Sequence, residues 1–328
     1  MSRRHNVLIS FLLFVSIGCT KDYTIHPKGA KQLYVIEGRV SNMRGPYYVR
    51  VTRSQNSVEG FVDTLNWLER VEAVKDALVI ISDDVGIVDT LRPVDSSGGR
   101  YGYGYMNGRI DSGIRPLYDF DRSLTAGQGY YETKRITGVP GHTYHLQVRI
   151  GDETFQASAY MPSAPDLDSL VTEPDRNMPG AENVYAYFKE PQYEENYYLL
   201  QVTSVFTYPY DAAGYVNTWG DHSIFPYYVF DDKALPPYVR HMEIDAIFFD
   251  SYSYGGIKPY FVLPPETFQG RLSSLTRESY EYFAASGKQF IDDGNVYKPA
   301  PASAKGNISG GALGLFWAAG VSYKLVLR

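Results

Sequence analysis

The residue whose surroundings point to the most definite chemistry is Cys19. Arg3 and Arg4 give a cationic start, residues 7–17 run apolar without a charge, and Gly18 places a small residue just ahead of the thiol. That apolar run is about a dozen residues, well short of the roughly 20 that a membrane-crossing helix needs. It reads as a lipoprotein export signal, residues 1–18, removed as Cys19 is acylated on its sulfur and new amino terminus. Cys19 is the single cysteine among 328 residues. The body of the chain therefore has no disulfide, zinc–thiolate site or cysteine nucleophile to draw on.

Tyrosine is the next source of chemistry, with 30 residues beside 16 Phe and 3 Trp. A phenol ring offers apolar area and a hydroxyl that wants a partner, which suits half-buried or contacted surfaces. Most of these rings are expected to fill pleated strands. Two groups stand apart as candidate ligand-binding residues. Tyr101, Tyr103 and Tyr105 alternate with Gly102 and Gly104, so an extended backbone would put three rings on one face. Such a comb could stack on sugar rings or grip a peptide, or fold back over the core as a packed loop. Tyr208, Tyr210, Tyr227 and Tyr228, with Trp219 and His222 nearby, form a second aromatic candidate surface.

Other residue types point away from catalysis. Asp83-Asp84, Glu194-Glu195, Asp231-Asp232 and Asp292-Asp293 are adjacent pairs; neighbours on a strand point oppositely, which makes poor acid/base dyads, and turns account for most of them. Asp292-Asp293-Gly294-Asn295 lacks the ligand spacing and closing Glu of a calcium loop. His142 and His145 are three apart, hence on opposite faces when extended. No nucleophile elbow, zinc-protease helix or phosphate loop occurs. The expectation is a protein without enzymatic activity, cofactor or metal.

These residues need elements to hold them. Once the leader leaves with two arginines, 29 Lys plus Arg face 37 Asp plus Glu. That acidic balance, with no basic cluster longer than a pair, argues against nucleic acid. About 310 residues then remain, enough for two domains. Residues 19–32 lack apolar periodicity and read as a lipidated tether. Alternation predicts strands near 33–40, 47–51, 77–81, 87–91, 144–150 and 154–160, with turns at Asp83–Gly86 and Gly151-Asp152. Residues 64–74 read as a short amphipathic helix or a loop excursion, and 96–129 as a long insertion. Met161-Pro162-Ser163-Ala164-Pro165 marks a connector, since prolines avoid central strands. Residues 33–162 are thus expected to form an immunoglobulin- or transthyretin-like β-sandwich, and 163–328 a second β-domain. Its strands are expected at 167–172, 184–188, 197–206, 239–249, 258–263, 313–317 and 321–327. A single packed helix at 274–290 is expected to be capped by Ser273 or Ser274.

These pieces together resemble a known family. The carriers are a lipoprotein cysteine followed by Lys21-Asp22, Pro140–Tyr144 leading a strand pair that ends at Pro162, and Leu167-Asp168-Ser169-Leu170. They continue with the helix bearing Tyr280, Tyr282 and Phe283, and with Gly306-Asn307-Ile308-Ser309-Gly310-Gly311 followed by Gly314-Leu315-Phe316. This pattern resembles domain of unknown function family 4249, lipoproteins of Bacteroidota. Ala312 lengthens the gap before Gly314, and Trp317 stands where a small residue is expected. The resemblance implies an outer-membrane lipoprotein, facing the cell surface or held in the periplasmic leaflet, that accompanies a TonB-dependent receptor as an accessory in uptake or at the surface; the aromatic groups suit a peptide or glycan as its ligand. An adhesion or structural component of the envelope, and a glycan-active enzyme, are the alternatives. No catalytic residues come with the family. Asn307, Ile308, Gly310, Gly311 and Phe316 are its motif residues; Asn and Gly tolerate positive φ, so this run is expected to build a turn feeding the last strands, with an anion-binding nest as the alternative. Asp63-Thr64-Leu65, Asp89-Thr90-Leu91 and Asp168-Ser169-Leu170 also resemble O-glycan acceptor triplets of that phylum.

Overall fold

The computed structural model describes residues 31–43, 45–54, 72–94, 127–174, 176, 181–205, 208–210, 215–217, 228–249, 267–291 and 304–327. In chain order they supply β1 (Tyr34–Ser41), β2 (Tyr48–Arg53), β3 (Glu72–Ala73), β4 (Leu78–Asp83), β5 (Val88–Thr90), β6 (Arg92–Pro93), β7 (Tyr130–Glu132), β8 (Thr143–Ile150) and β9 (Glu153–Tyr160). There follow β10 (Leu167–Pro174), β11 (Ala181–Lys189), β12 (Tyr197–Val205), β13 (Tyr208–Tyr210), β14 (Tyr215–Asn217), β15 (Tyr228–Asp231), β16 (Tyr238–Phe249) and β17 (Thr267–Leu275). Helix α1 (Arg277–Ile291), β18 (Phe316–Ala319) and β19 (Val321–Leu327) close the chain. The fold is mostly β, in several separate sheets.

The first half is built from two sheets, β18-β1-β2-β7-β6 and β5-β4-β8-β9. Strand alternation dictates their packing: along β8 the residues Tyr144, Leu146, Val148 and Ile150 are buried while His145, Gln147 and Arg149 are exposed, the period of two that a one-face-buried strand requires. With Ile36, Val49, Val51, Val79, Ile81 and Phe155 they form one core. Three of its largest members are tyrosines, and each has a use for its hydroxyl. Tyr47 donates to the Met43 carbonyl at 2.7 Å and accepts from Gly138 N–H at 3.0 Å. Tyr131 donates to the Val74 carbonyl and accepts from Ala77 N–H, and Tyr144 accepts from Val139 N–H. Burial pushes all three phenols above their ordinary pKa. They remain neutral donors that pin loops to the sandwich.

The family motif sits on the seam between these sheets. The Asn307 amide nitrogen donates to the carbonyls of Phe316 (2.7 Å) and Ser158 (3.2 Å), and its oxygen accepts from Phe316 N–H (2.9 Å). One side chain thus imitates a strand between β9 and β18. Ser309 continues the pairing, exchanging bonds with both backbone groups of Gln156. Gly314, at φ 105°, passes so close to β1 that a Cβ would strike the Ile36 carbonyl, so the turn entering β18 accepts no side chain there.

The second half is layered. Sheet β10-β11-β16 packs on sheet β15-β12-β17-β19, whose far face carries α1. The middle strands β12 and β17 are consequently covered on both faces: Tyr198, Leu200 and Leu272 join one core, while Tyr197, Leu199 and Leu275 join the other with Phe283. Both sides of 197–200 therefore face a core.

Several expectations change. Residues 267–275 are a central strand, so the helix starts at Arg277 rather than 274, and Ser273 and Ser274 lie in β17. The cap is Thr276, whose hydroxyl accepts from Ser279 N–H, with Glu278 in the first turn where the helix dipole favours an anion. Glu72–Ala73 of the expected helix or loop at 64–74 is a strand paired with β2. The strand expected at 313–317 runs over 316–319, where β18 pairs in parallel with β1; Leu313 already bridges Val35 in the same direction, and the turn at Gly314, φ 105°, interrupts the ladder between them. A strand expected within 163–328 therefore completes a sheet of the first half. Gly320 makes the crossing: its N–H donates to the Pro162 carbonyl, its carbonyl accepts from Ser274 N–H, and β19 then pairs with β17. The strand expected at 258–263, and most of the insertion at 96–129, lie outside the described residues.

Candidate ligand-binding face

Sheet β10-β11-β16 buries one side and leaves the other open. On β11, Val184, Ala186 and Phe188 are buried, so Tyr185 and Tyr187 occupy the opposite face by strand periodicity. Two irregularities converge on Tyr187. On β10, Leu167 pairs with Phe188 and Ser169 with Tyr187, leaving Asp168 as an extra residue. On β16, Met242 pairs with Ala186 and Val239 with Phe188, so Arg240 and His241 together oppose Tyr187. Such bulges re-aim side chains. The second brings His241 to φ 54°, a left-handed conformation that a residue with a side chain holds only when its surroundings enforce it.

The side chains interlock across the three strands. The His241 ring stacks on Tyr185 with centroids 3.8 Å apart and planes 10° from parallel, and meets Tyr187 edge-on at 6.3 Å. Its Nε2 lies 2.9 Å from Glu173 Oε1, and both side chains are 47% exposed. The Arg240 guanidinium lies 5.3 Å over the Tyr238 ring, a cation–π contact. The Asp168 carboxylate beside Tyr238 holds that phenol above its ordinary pKa. Asp168 in turn lines a cleft of about 530 Å³ that also involves Asn42, Asp166, Ser322, Tyr323 and Lys324. These rings and the polar groups around them make a surface for stacking and hydrogen bonding.

A second group is buried. Glu190 is 2% exposed; its Oε1 accepts from the Tyr198 hydroxyl at 2.9 Å and the Asn196 amide at 3.1 Å, while Oε2 has no hydrogen-bond partner. Burial pushes the Glu190 carboxyl above its usual range, and burial beside Glu190 pushes the Tyr198 phenol up as well. The adjacent carboxylates divide their tasks. Asp83 accepts from Val85 and Ile87 N–H, Asp84 faces His142, Asp231 pairs with Lys233, and Asp232 accepts from Asn196 N–H. His145 lies against Ser158 instead. Among the described residues no group of three or more His, Cys, Asp or Glu is placed to hold a metal ion, and no helix is long and apolar enough to cross a membrane.

Cys19, Tyr101, Tyr103, Tyr105, Trp219 and Tyr227 lie outside the described residues. Tyr208 and Tyr210 fall in β13, whose backbone pairs with β14, and Tyr228 in β15 opposite Leu200. Sequence reasoning did not single out Tyr185, Tyr187, Tyr238 or His241. The available signal was the alternation Val184-Tyr185-Ala186-Tyr187-Phe188, aromatic on the face that the small and aliphatic residues leave.

A family model described as domain of unknown function (DUF4249) matches residues 20–324. No curated protein matches the chain.

Proposed function

From a chain that belongs to the domain of unknown function family DUF4249, we propose a non-enzymatic, surface-exposed capture protein. It is anchored in the outer membrane of a member of the Bacteroidota through lipid on Cys19, and it hands ligand to a TonB-dependent transporter. The observation that carries the capture role is the open aromatic face of Tyr185, Tyr187 and Tyr238, with a ring at left-handed φ wedged among them. Tyr185 and Tyr187 are half-buried and Tyr238 is exposed, on the side of the sheet away from the core that holds Phe188 and Tyr198. The anchor rests on the cationic start, the short apolar run and the position of Cys19. A tether of about a dozen residues, extended at roughly 3 Å each, would set this body some 35 Å from the bilayer.

The test combines metabolic palmitate labelling with recovery of native complexes from membranes in mild detergent. Wild type should carry label that Cys19→Ala loses, and should bring down a TonB-dependent transporter. Unlabelled protein in the soluble fraction, or labelled protein recovered alone, counts against the proposal.

A further inference from the structure

We infer that the Tyr185–Tyr187–Tyr238 face binds a neutral oligosaccharide, which names the ligand class of the capture role proposed above and rests on that reading. A phenol ring presents a flat π-face and a polar rim; a sugar ring presents a C–H face bordered by hydroxyls, so the two match in both parts. Tyr185 and Tyr187 stand two residues apart on one strand, roughly 7 Å, and Tyr238 extends the row on the neighbouring strand towards Asp168.

Charge settles the class further. The face carries charges of both signs among its rings: Asp168, Glu173 and Glu243 beside Lys189 and Arg240, with His241 against Glu173. A site for an anion or cation would present one sign towards the ligand. This one intersperses the two signs with donors and acceptors, which suits a neutral polyol. A peptide added as a strand would pair with an edge, β10 or β16, and would lie beside the Tyr185 and Tyr187 rings rather than over them. β11 is the middle strand, its backbone groups already committed to β10 and β16, and strand addition needs a free edge. The cleft reached through Asp168 gives room for a chain longer than the rings alone would cover.

The experiment is calorimetric titration of the full-length protein in detergent with maltohexaose, cellohexaose, xylohexaose, mannohexaose and laminarihexaose, alongside hexagalacturonate and a neutral hexapeptide. At least one neutral hexasaccharide should bind with an affinity insensitive to salt. Tyr187→Ala should weaken it at least about tenfold, the loss expected from truncating a central aromatic anchor, while Tyr187→Phe keeps it within about threefold. Circular dichroism and the melting temperature show that each variant is folded. The inference is overturned if no neutral saccharide binds, if binding survives in folded Tyr187→Ala and Tyr185→Ala, or if only hexagalacturonate or the hexapeptide binds. Transporter recovery separates the two readings. Saccharides that fail while the transporter is still recovered sink the ligand class alone; saccharides that bind while no transporter is recovered support the ligand class and leave the partnership refuted.

Discussion

Replacing Asp89 tests the chemistry that holds the first sandwich together. Asp89 is 1% exposed, and one of its oxygens, Oδ2, accepts three consecutive backbone N–H groups, from Lys134 (2.7 Å), Arg135 (2.6 Å) and Ile136 (3.0 Å). Burial pushes this carboxyl up, but the N–H groups of Arg135, Ile136 and Lys134 outweigh burial and hold it below the usual carboxylate range. Asp89→Ala strands three donors in a place water reaches poorly. At about 1–3 kcal/mol for each unmade bond, and with neighbouring terms less than additive, the loss should be about 3–5 kcal/mol. That is a large part of the 5–15 kcal/mol typical of a domain. The sign with pH follows from the lowered pKa. The contribution is fully present above the unfolded Asp value of about 3.9 and disappears as pH falls through the folded value. Urea unfolding followed by circular dichroism should give a wild-type advantage over Asp89→Asn that is flat from pH 7 to about pH 5 and shrinks below about pH 4. An Asp89→Ala protein within about 1 kcal/mol of wild type at pH 7, or an advantage that grows on acidification, refutes the reasoning.

Glu190 should behave with the opposite sign. Its raised pKa means that its contribution is complete below the unfolded Glu value of about 4.3 and is lost as pH rises through the folded value, so Glu190→Gln should melt with wild type near pH 4 and above it at pH 8. Equal melting temperatures at pH 8 would show that the carboxylate is not desolvated. Asn307→Asp turns an oxygen towards the carbonyls of Ser158 and Phe316 and should cost about 2–4 kcal/mol, with faster hydrogen exchange at the Phe316 amide; unchanged exchange there would remove the seam from the account. Thr276→Ala should lower stability by about 1 kcal/mol, with Thr276→Ser restoring it, as a helix cap requires.

Much of this architecture is legible in the chain. The alternation of β4, β8 and β9 shows which residues turn inward, and the turns at Gly86 and Gly151 fall where their positive φ demands glycine. The strand β17 is illegible for a physical reason. Gly270, Arg271, Ser273 and Ser274 are buried beside Leu272 and Leu275, because a sheet covers one face and a helix the other, and a strand covered twice shows no alternation. The binding face is half legible. A period of two places Tyr185 and Tyr187 together, but the bulges that aim Asp168 and His241 are register choices between residues about 20 and about 55 positions apart.

Local pattern by itself therefore determined the β class, the main turns and the aromatic stripe, since each depends on residues within one strand or one turn. Tertiary structure alone decided that β18 crosses back to lie parallel to β1, and that Asn307 reaches Ser158, 149 positions away. It also decided that Tyr187 lies between two bulges. A strand's periodicity specifies which face is buried, not which strand lies beside it; that choice falls to long-range packing, where the entropy of closing a loop grows only slowly with its length.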